Sequence, residues 1–276
     1  MMTRSRKVIA LLFGLMLALV LTSCGRVNNN QDSWPTLQKR GRIIVGLDDS
    51  FVPMGFRAKN GDLQGFDIDL ANAVGKKLNL KMDFQTIDWN MKETELKNHT
   101  IDLIWNGYTV NPERESKVLF SKTYLNNRQI LVSLKKNKIN NFKDMQGKVL
   151  GVQNGSSGQS DLDGQPKLLK QYIKNQSPIL YENFNEAFID LNAGRIQGLL
   201  IDRVYADYYI AHQQDKNAYN KDTGSFAPEH FAVGMRKSDV ELKHKIDGAL
   251  EALYADGTVQ KISQKWFGQD DTVPIK

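Results

Sequence analysis

Two residues of this 276-residue chain carry most of its binding chemistry, Arg114 and Asp202. Arg114 ends the stretch Asn111-Pro112-Glu113-Arg114. Asparagine suits an N-cap and proline the first helical position, so this stretch predicts a helix start with Arg114 in its first turn. Helix-terminal N–H groups and a guanidinium together make an anion site. Asp202 follows the apolar run 198–201 and offers the opposite charge. An α-amino acid carries both charges, and a cation trap set apart from an anion trap is the pattern expected for a zwitterion. Other polar residues also follow apolar runs: Asp48 and Asp49, the stretch Asn106-Gly107-Tyr108-Thr109, and the glycine-serine loop from Gln153 through Ser157 to Gly158. In an open α/β sheet, ligands bind beyond the carboxyl ends of the strands. Each feature taken alone has a plainer reading. Arg114 between two glutamates suits a solvated helix face, Asp202 and Asp48 suit turns, and Phe51 and Trp89 suit a core. The glycine-serine loop lacks the lysine of a phosphate loop.

Little here points to catalysis. His99, His212, His230 and His244 are scattered and none stands with a cysteine, so no metal cluster or nucleophile–base arrangement is readable. No cofactor motif is present. The formal charge of +6 drops to +3 without the basic residues Arg4, Arg6 and Lys7, and the remainder is spread along the chain, which excludes a nucleic-acid patch. Those three residues precede the apolar run 8–21, which has signal-peptide length and is short for a bilayer span. The run leads into Leu21-Thr22-Ser23-Cys24-Gly25, where small residues precede the only cysteine. This order resembles the lipobox of bacterial lipoproteins and implies a signal peptide over 1–23, lipid on Cys24 and an extracytoplasmic, membrane-anchored protein. Residues 24–37 are then expected as the lipidated cysteine and a flexible tether, most clearly in the polar, asparagine-rich part 26–33.

Beyond residue 38, strand and helix patterns alternate. Strands are expected at 43–47, 82–86, 101–105, 130–134, 148–152, 198–201 and 231–235. Phe66, Leu70, Ala73 or Val74, and Leu78 recur at helical spacing, and 93–98 is a helix candidate. A further helix over 186–193 should close at Gly194 in the left-handed conformation. Two terminal helices should break at Asp256-Gly257. The class is α/β, with more strand–helix units than one small sheet needs, hence two lobes.

From about 38 to 267 the chain resembles the amino-acid-binding proteins of ABC importers, the family-3 extracellular solute receptors. The resemblance rests on the stretch 45–56, on Gly65-Phe66-Asp67-Ile68-Asp69-Leu70, on Thr109 to Arg114, on the 151–158 loop, and on Asp256-Gly257-Thr258 with Lys265-Trp266-Phe267-Gly268. It implies a two-lobe periplasmic-binding-protein-like fold of type II, with residues 38–131 and 231–276 in lobe 1, 132–230 in lobe 2, and two crossover strands between them. It also implies the site. Arg114 takes the ligand carboxylate, helped by Thr109, by backbone at Asn106 and Gly107, and by Ser157. Asp202 takes the α-ammonium. Phe51 and Trp89 sandwich the aliphatic part, and Asp48 and Gln153 approach the ligand side chain. Asp48, Asp49 and Glu93 suggest an acidic side-chain pocket, suited to glutamine, arginine or cystine. The expected partners are an L-amino acid, a separate permease and a separate ATPase, with the receptor itself a monomer. An enzyme of the cyclohexadienyl-dehydratase kind on the same scaffold, or a surface adhesin, is the alternative.

Overall fold

Apolar runs too short for helices, each followed by an amphipathic stretch, fold here as parallel strands with crossover helices. The structure is a computed structural model and describes residues 31–275; Cys24, the leader and most of the tether lie outside them. Helix α1 (Trp34–Arg40) leads into β1 (Arg42–Leu47). A small antiparallel meander follows, β2 (Ser50–Phe51), β3 (Gly55–Arg57) and β4 (Leu63–Gln64). Then come α2 (Phe66–Leu78), β5 (Lys81–Thr86), α3 (Lys92–Lys97), β6 (Leu103–Ile104), α4 (Pro112–Lys117) and β7 (Leu119–Phe120). The long β8 (Leu125–Leu134) opens a second set: β9 (Leu150–Gln153), α5 (Ser157–Gly164), β10 (Ile179–Tyr181), α6 (Phe184–Ala193), β11 (Gly198–Asp202), α7 (Arg203–Ala211) and β12 (Tyr219–Asp222). The chain returns through β13 (Pro228–Phe231) and β14 (Gly234–Met235) to α8 (Val240–Ala255) and α9 (Thr258–Phe267).

Two principal sheets result. The first runs β5-β1-β6-β14-β7 and the second β10-β9-β11-β8-β12. β1 pairs in parallel with β5 and β6, and β14 closes that sheet antiparallel. In α2 the residues at helical spacing, Phe66, Leu70 and Val74, are buried as the periodicity requires. Gly194 ends α6 at φ 77°, donating to Asp190 and Leu191, the left-handed cap the sequence suggested.

Strand β8 links the two halves. Its first residues pair with β13, Asn127 opposite Glu229, and its later ones with β11, Gln129 opposite Asp202. Two expectations are corrected here. The single strand over 231–235 is two strands, because the chain leaves β8 at Phe231 and joins the other sheet at Gly234. The tether over 24–37 ends earlier, because Trp34 and Leu37 are buried on α1. Asp32 accepts from the N–H of Glu241, and the Ser33 N–H donates to Asp239 at 2.9 Å, so both residues are fixed against the start of α8. Apolar burial and hydrogen bonding outweigh the polar composition of 26–33 at its last two residues.

Candidate functional site

The carboxyl ends of the strands face a cleft between the two halves, and the cleft has two electrically distinct ends. At one end Arg114 is only 4% exposed, so the solvated-face reading fails. Asn111 caps α4 by accepting from the Arg114 N–H at 2.8 Å, and this fixes the backbone that carries the guanidinium. The guanidinium donates to the Thr109 carbonyl at 3.0 Å and, across the cleft, to the Gly155 carbonyl at 3.2 Å. It also lies over the Tyr108 ring, 4.5 Å from its centre. Carbonyls and a ring face orient the cation without neutralising it, and it makes no ion pair among the described residues.

The opposite end is anionic. Asn127 Nδ2 donates to Asp202 at 2.5 Å and to Glu229 at 2.8 Å. Gln129 Nε2 donates to the same two carboxylates at 2.9 and 3.0 Å, and to Ser157 Oγ at 3.0 Å. Thr109 Oγ1 reaches Ser157 Oγ at 3.2 Å and Glu229 at 3.4 Å, joining this cluster to the Arg114 end. Asp202 stands at the N-cap of α7 without capping it, which rules against a simple turn role. Burial, and then the neighbouring Glu229 charge, push its carboxyl up to about 7. Burial likewise raises Glu229. Asp161 on α5 is raised to about 7 by burial and by Glu229.

The other expected residues divide. Asn106 Oδ1 accepts the Asp48 N–H at 3.2 Å and stays buried. Gly107 sits at φ 59°, and its N–H is taken by Asp67 at 2.7 Å, so it leaves only its carbonyl for a ligand. A Cβ there would come within 2.8 Å of Phe51, so glycine is required twice over. Burial pushes Asp67 up to about 7. Asp48 makes the turn its plainer reading suggested, accepting from Ser50 N and Oγ at 2.9 and 2.6 Å. Its other oxygen accepts from Gln153 across the cleft at 3.0 Å.

Phe51 packs on Phe184 and Tyr205 of the opposite half, with ring centres 5.9 and 5.4 Å apart. Trp89 meets Tyr108 edge-on at 5.9 Å. The acidic-pocket idea loses two of its three members. Asp49 is engaged by Arg57 at 2.5 Å and by Thr86 at 2.8 Å, and Glu93 by Tyr108 at 2.8 Å and Lys92 at 3.4 Å.

Lys92 is 2% exposed. Its Nζ donates to Trp89 O at 3.0 Å and, across the cleft, to Gly155 O at 2.9 Å. Burial, and then the Arg114 charge, lower it to about 7. Just outside these contacts a cleft of about 620 Å³ is lined by Lys92, Arg114 and Lys117 on one side and by Gly155, Gln159 and Asp161 on the other.

Sequence reasoning missed Asn127, Gln129, Glu229 and Lys92. For the first pair a signal existed: two amides at i and i+2, just before the apolar run 130–132, point to one face. Glu229 had none, because its place is set by pairing with a residue 102 positions away.

Comparison with known proteins completes the description. The profile of the bacterial extracellular solute-binding proteins, family 3, matches residues 43–269. A substrate-binding protein of an ABC uptake transporter from Streptococcus pneumoniae, solved with bound histidine, is 50% identical. It superposes with a TM-score of 0.86 over 88% of this chain and 98% of its own. A polar amino acid ABC uptake transporter substrate-binding protein from Streptococcus thermophilus is 48% identical, covers 91% and 95% of the two chains, and gives a TM-score of 0.58. The ABC transporter arginine-binding protein 1 of Escherichia coli K12 is 31% identical over 83% of this chain and 91% of its own. These relatives are solute-binding proteins rather than enzymes. With the family profile spanning both sheets and the cleft between them, the chain belongs to the bacterial extracellular solute-binding proteins of family 3, as a two-lobe, extracytoplasmic, non-enzymatic component of amino-acid ABC import.

Proposed function

We propose that this receptor captures a single L-amino acid with a polar or cationic side chain and hands it to a separate permease driven by a separate ATPase. The observation that carries this reading is the pair of buried, oppositely charged ends facing one cleft: Arg114 without an anion, and Asp202 with Glu229 without a cation, among the described residues. Burying a lone charge costs several kcal/mol, roughly, so a site of this kind is completed by a zwitterion. In this assignment Arg114, with Thr109 and Ser157, holds the carboxylate. Asp202 and the Gly107 carbonyl hold the ammonium. Phe51 and Trp89 line the aliphatic part of the ligand, and Asn106, Asp48 and Gln153 face its side chain. Histidine, arginine, glutamine and cystine are the leading ligands. Histidine and arginine are the ligands of the two relatives so described, and of the three expected acids Asp48 alone has no cationic partner among the described residues.

Closure supplies the affinity. Arg114 and Lys92 from one half both reach the Gly155 carbonyl of the other, Gln153 reaches Asp48, and Ser160 reaches Glu113 at 3.2 Å. The hinge is assigned to the paired stretches of β8 and β13, the only described strands that join the two sets of elements. Two relatives of nearly equal identity superpose on this chain very unequally, as expected where lobes rotate about a hinge. A ligand bound by both halves shifts that equilibrium by its differential affinity for the closed form.

The receptor is further assigned a lipid anchor at Cys24, which lies outside the described residues, and a monomeric state. Among the described residues no helix is long and apolar enough to cross a membrane. A thermal-shift panel of the L-amino acids and cystine tests the ligand class, and a response confined to apolar amino acids would refute it. Radiolabelled palmitate should mark the wild type and not Cys24→Ser.

A further inference from the structure

The anionic end of the cleft holds more acceptors than one ammonium-binding carboxylate would need. Two carboxylate oxygens, Asp202 Oδ1 and Glu229 Oε2, each accept from both amide nitrogens. Asn127 Oδ1 and Gln129 Oε1 are buried without a donor, on side chains of residues 3% and 0% exposed. The register explains the convergence. Asn127 and Gln129 point to the same face of β8, with Glu229 directly opposite one and Asp202 directly opposite the other. What this pocket lacks is a compact group with several N–H donors and a positive charge.

We propose that Glu229 is a second ammonium-binding carboxylate, and that amino-acid binding expels a proton which the Asp202–Glu229 pair holds in the unliganded closed site. This rests on the zwitterion reading above. Two carboxylates tied to the same amides cannot both ionise cheaply in a buried site, so the pair keeps one proton. The charged groups facing it from the packed elements are Arg114 on α4, which favours ionisation, and Asp161 on α5, which opposes it. Burial raises both members of the pair, as a shared proton requires. When the ligand's –NH₃⁺ enters, its charge replaces the proton. Both carboxylates accept from the ammonium, and one H⁺ leaves to buffer, so charge and protons balance.

Titration calorimetry at pH 6.5–7 in phosphate and in Tris reads the proton count from the difference in apparent enthalpy. L-arginine and L-histidine are titrated separately into wild type, Glu229→Gln and Asp202→Asn. Protons from the histidine imidazole are common to all three proteins and cancel in the comparison. The wild type should release up to about one proton, and Glu229→Gln should lose that release together with at least tenfold in affinity. An unchanged melting temperature of unliganded Glu229→Gln shows that the loss is local, and Glu229→Asp should restore part of both signals. Wild-type affinity or undiminished proton release in Glu229→Gln, with Asp202→Asn impaired, overturns this inference alone. Wild-type affinity in Asp202→Asn overturns the zwitterion reading itself.

Discussion

The two ends of the cleft are built in opposite ways. The Arg114 end comes mainly from one short stretch, 108–114, in which a capped helix turn, a carbonyl and a stacked ring all lie close together in sequence. The Asp202 end is assembled from β8, β11 and β13, drawn from residues 127 to 229, and exists only where those strands meet. The first needs mostly local structure, with the Gly155 carbonyl its one contact from the other half. The second sits at the crossover between the sheets, so its geometry depends on how the two halves are set.

The sharpest way to break this comparison is to remove each charge. Arg114→Ala should weaken amino-acid binding by about 2–3 kcal/mol, because the ligand carboxylate is then buried unpaired. Asp202→Ala should cost about 2 kcal/mol, less than Arg114→Ala because Glu229 remains. Calorimetry checks both, and near-wild-type affinity in either variant removes that residue from the site.

A smaller effect concerns pH. Asp67, Asp161 and Asp202 are each raised to about 7, so between about pH 4 and 7 the folded protein binds more protons than the unfolded chain. Stability contributed by these protons is present at low pH and is lost as pH rises through about 7. Lys92, lowered to about 7, acts in the opposite sense: its folded form binds fewer protons from about pH 7 upward, so it adds stability with rising pH there. His99, lowered by burial, also favours higher pH. The three acids outnumber it below 7, and the melting temperature of the unliganded protein should rise by a few degrees, roughly, from pH 7.5 to 5.5. Asp67→Asn keeps an acceptor for the Gly107 N–H and should flatten that dependence. An unchanged slope in a scanning calorimeter would contradict the burial argument.

The smallest effect sharpens the account of closure. Lys92→Met keeps the stem beside Trp89 but loses the bond to Gly155, a contact joining the two halves. It should weaken binding by about 1 kcal/mol, mostly as faster ligand release in stopped-flow measurements. A change confined to the on-rate would place Lys92 in capture rather than in closure.

The same contrast governs what could be read before the fold was known. Asn111-Pro112 announced a helix start and so placed Arg114. Gly194, and the alternation of apolar runs with helical patterns, announced most of the sheet and helix order. The break between β13 and β14 was not legible, because it reflects a change of sheet and not a change of composition. Glu229 was invisible for the same reason. Asp49 and Glu93 misled because acidic residues near a cleft in sequence are engaged locally in space, by Arg57, Thr86, Tyr108 and Lys92.

The central claim is that a zwitterion bridges Arg114 and the Asp202 end. Its most direct test is calorimetric titration of the wild-type protein with L-arginine, its α-amide, and agmatine, which lacks the carboxylate altogether. The account predicts binding by the amino acid and a loss of about 2 kcal/mol or more for both analogues, since each leaves Arg114 buried without its anion. Agmatine binding as tightly as arginine would contradict it.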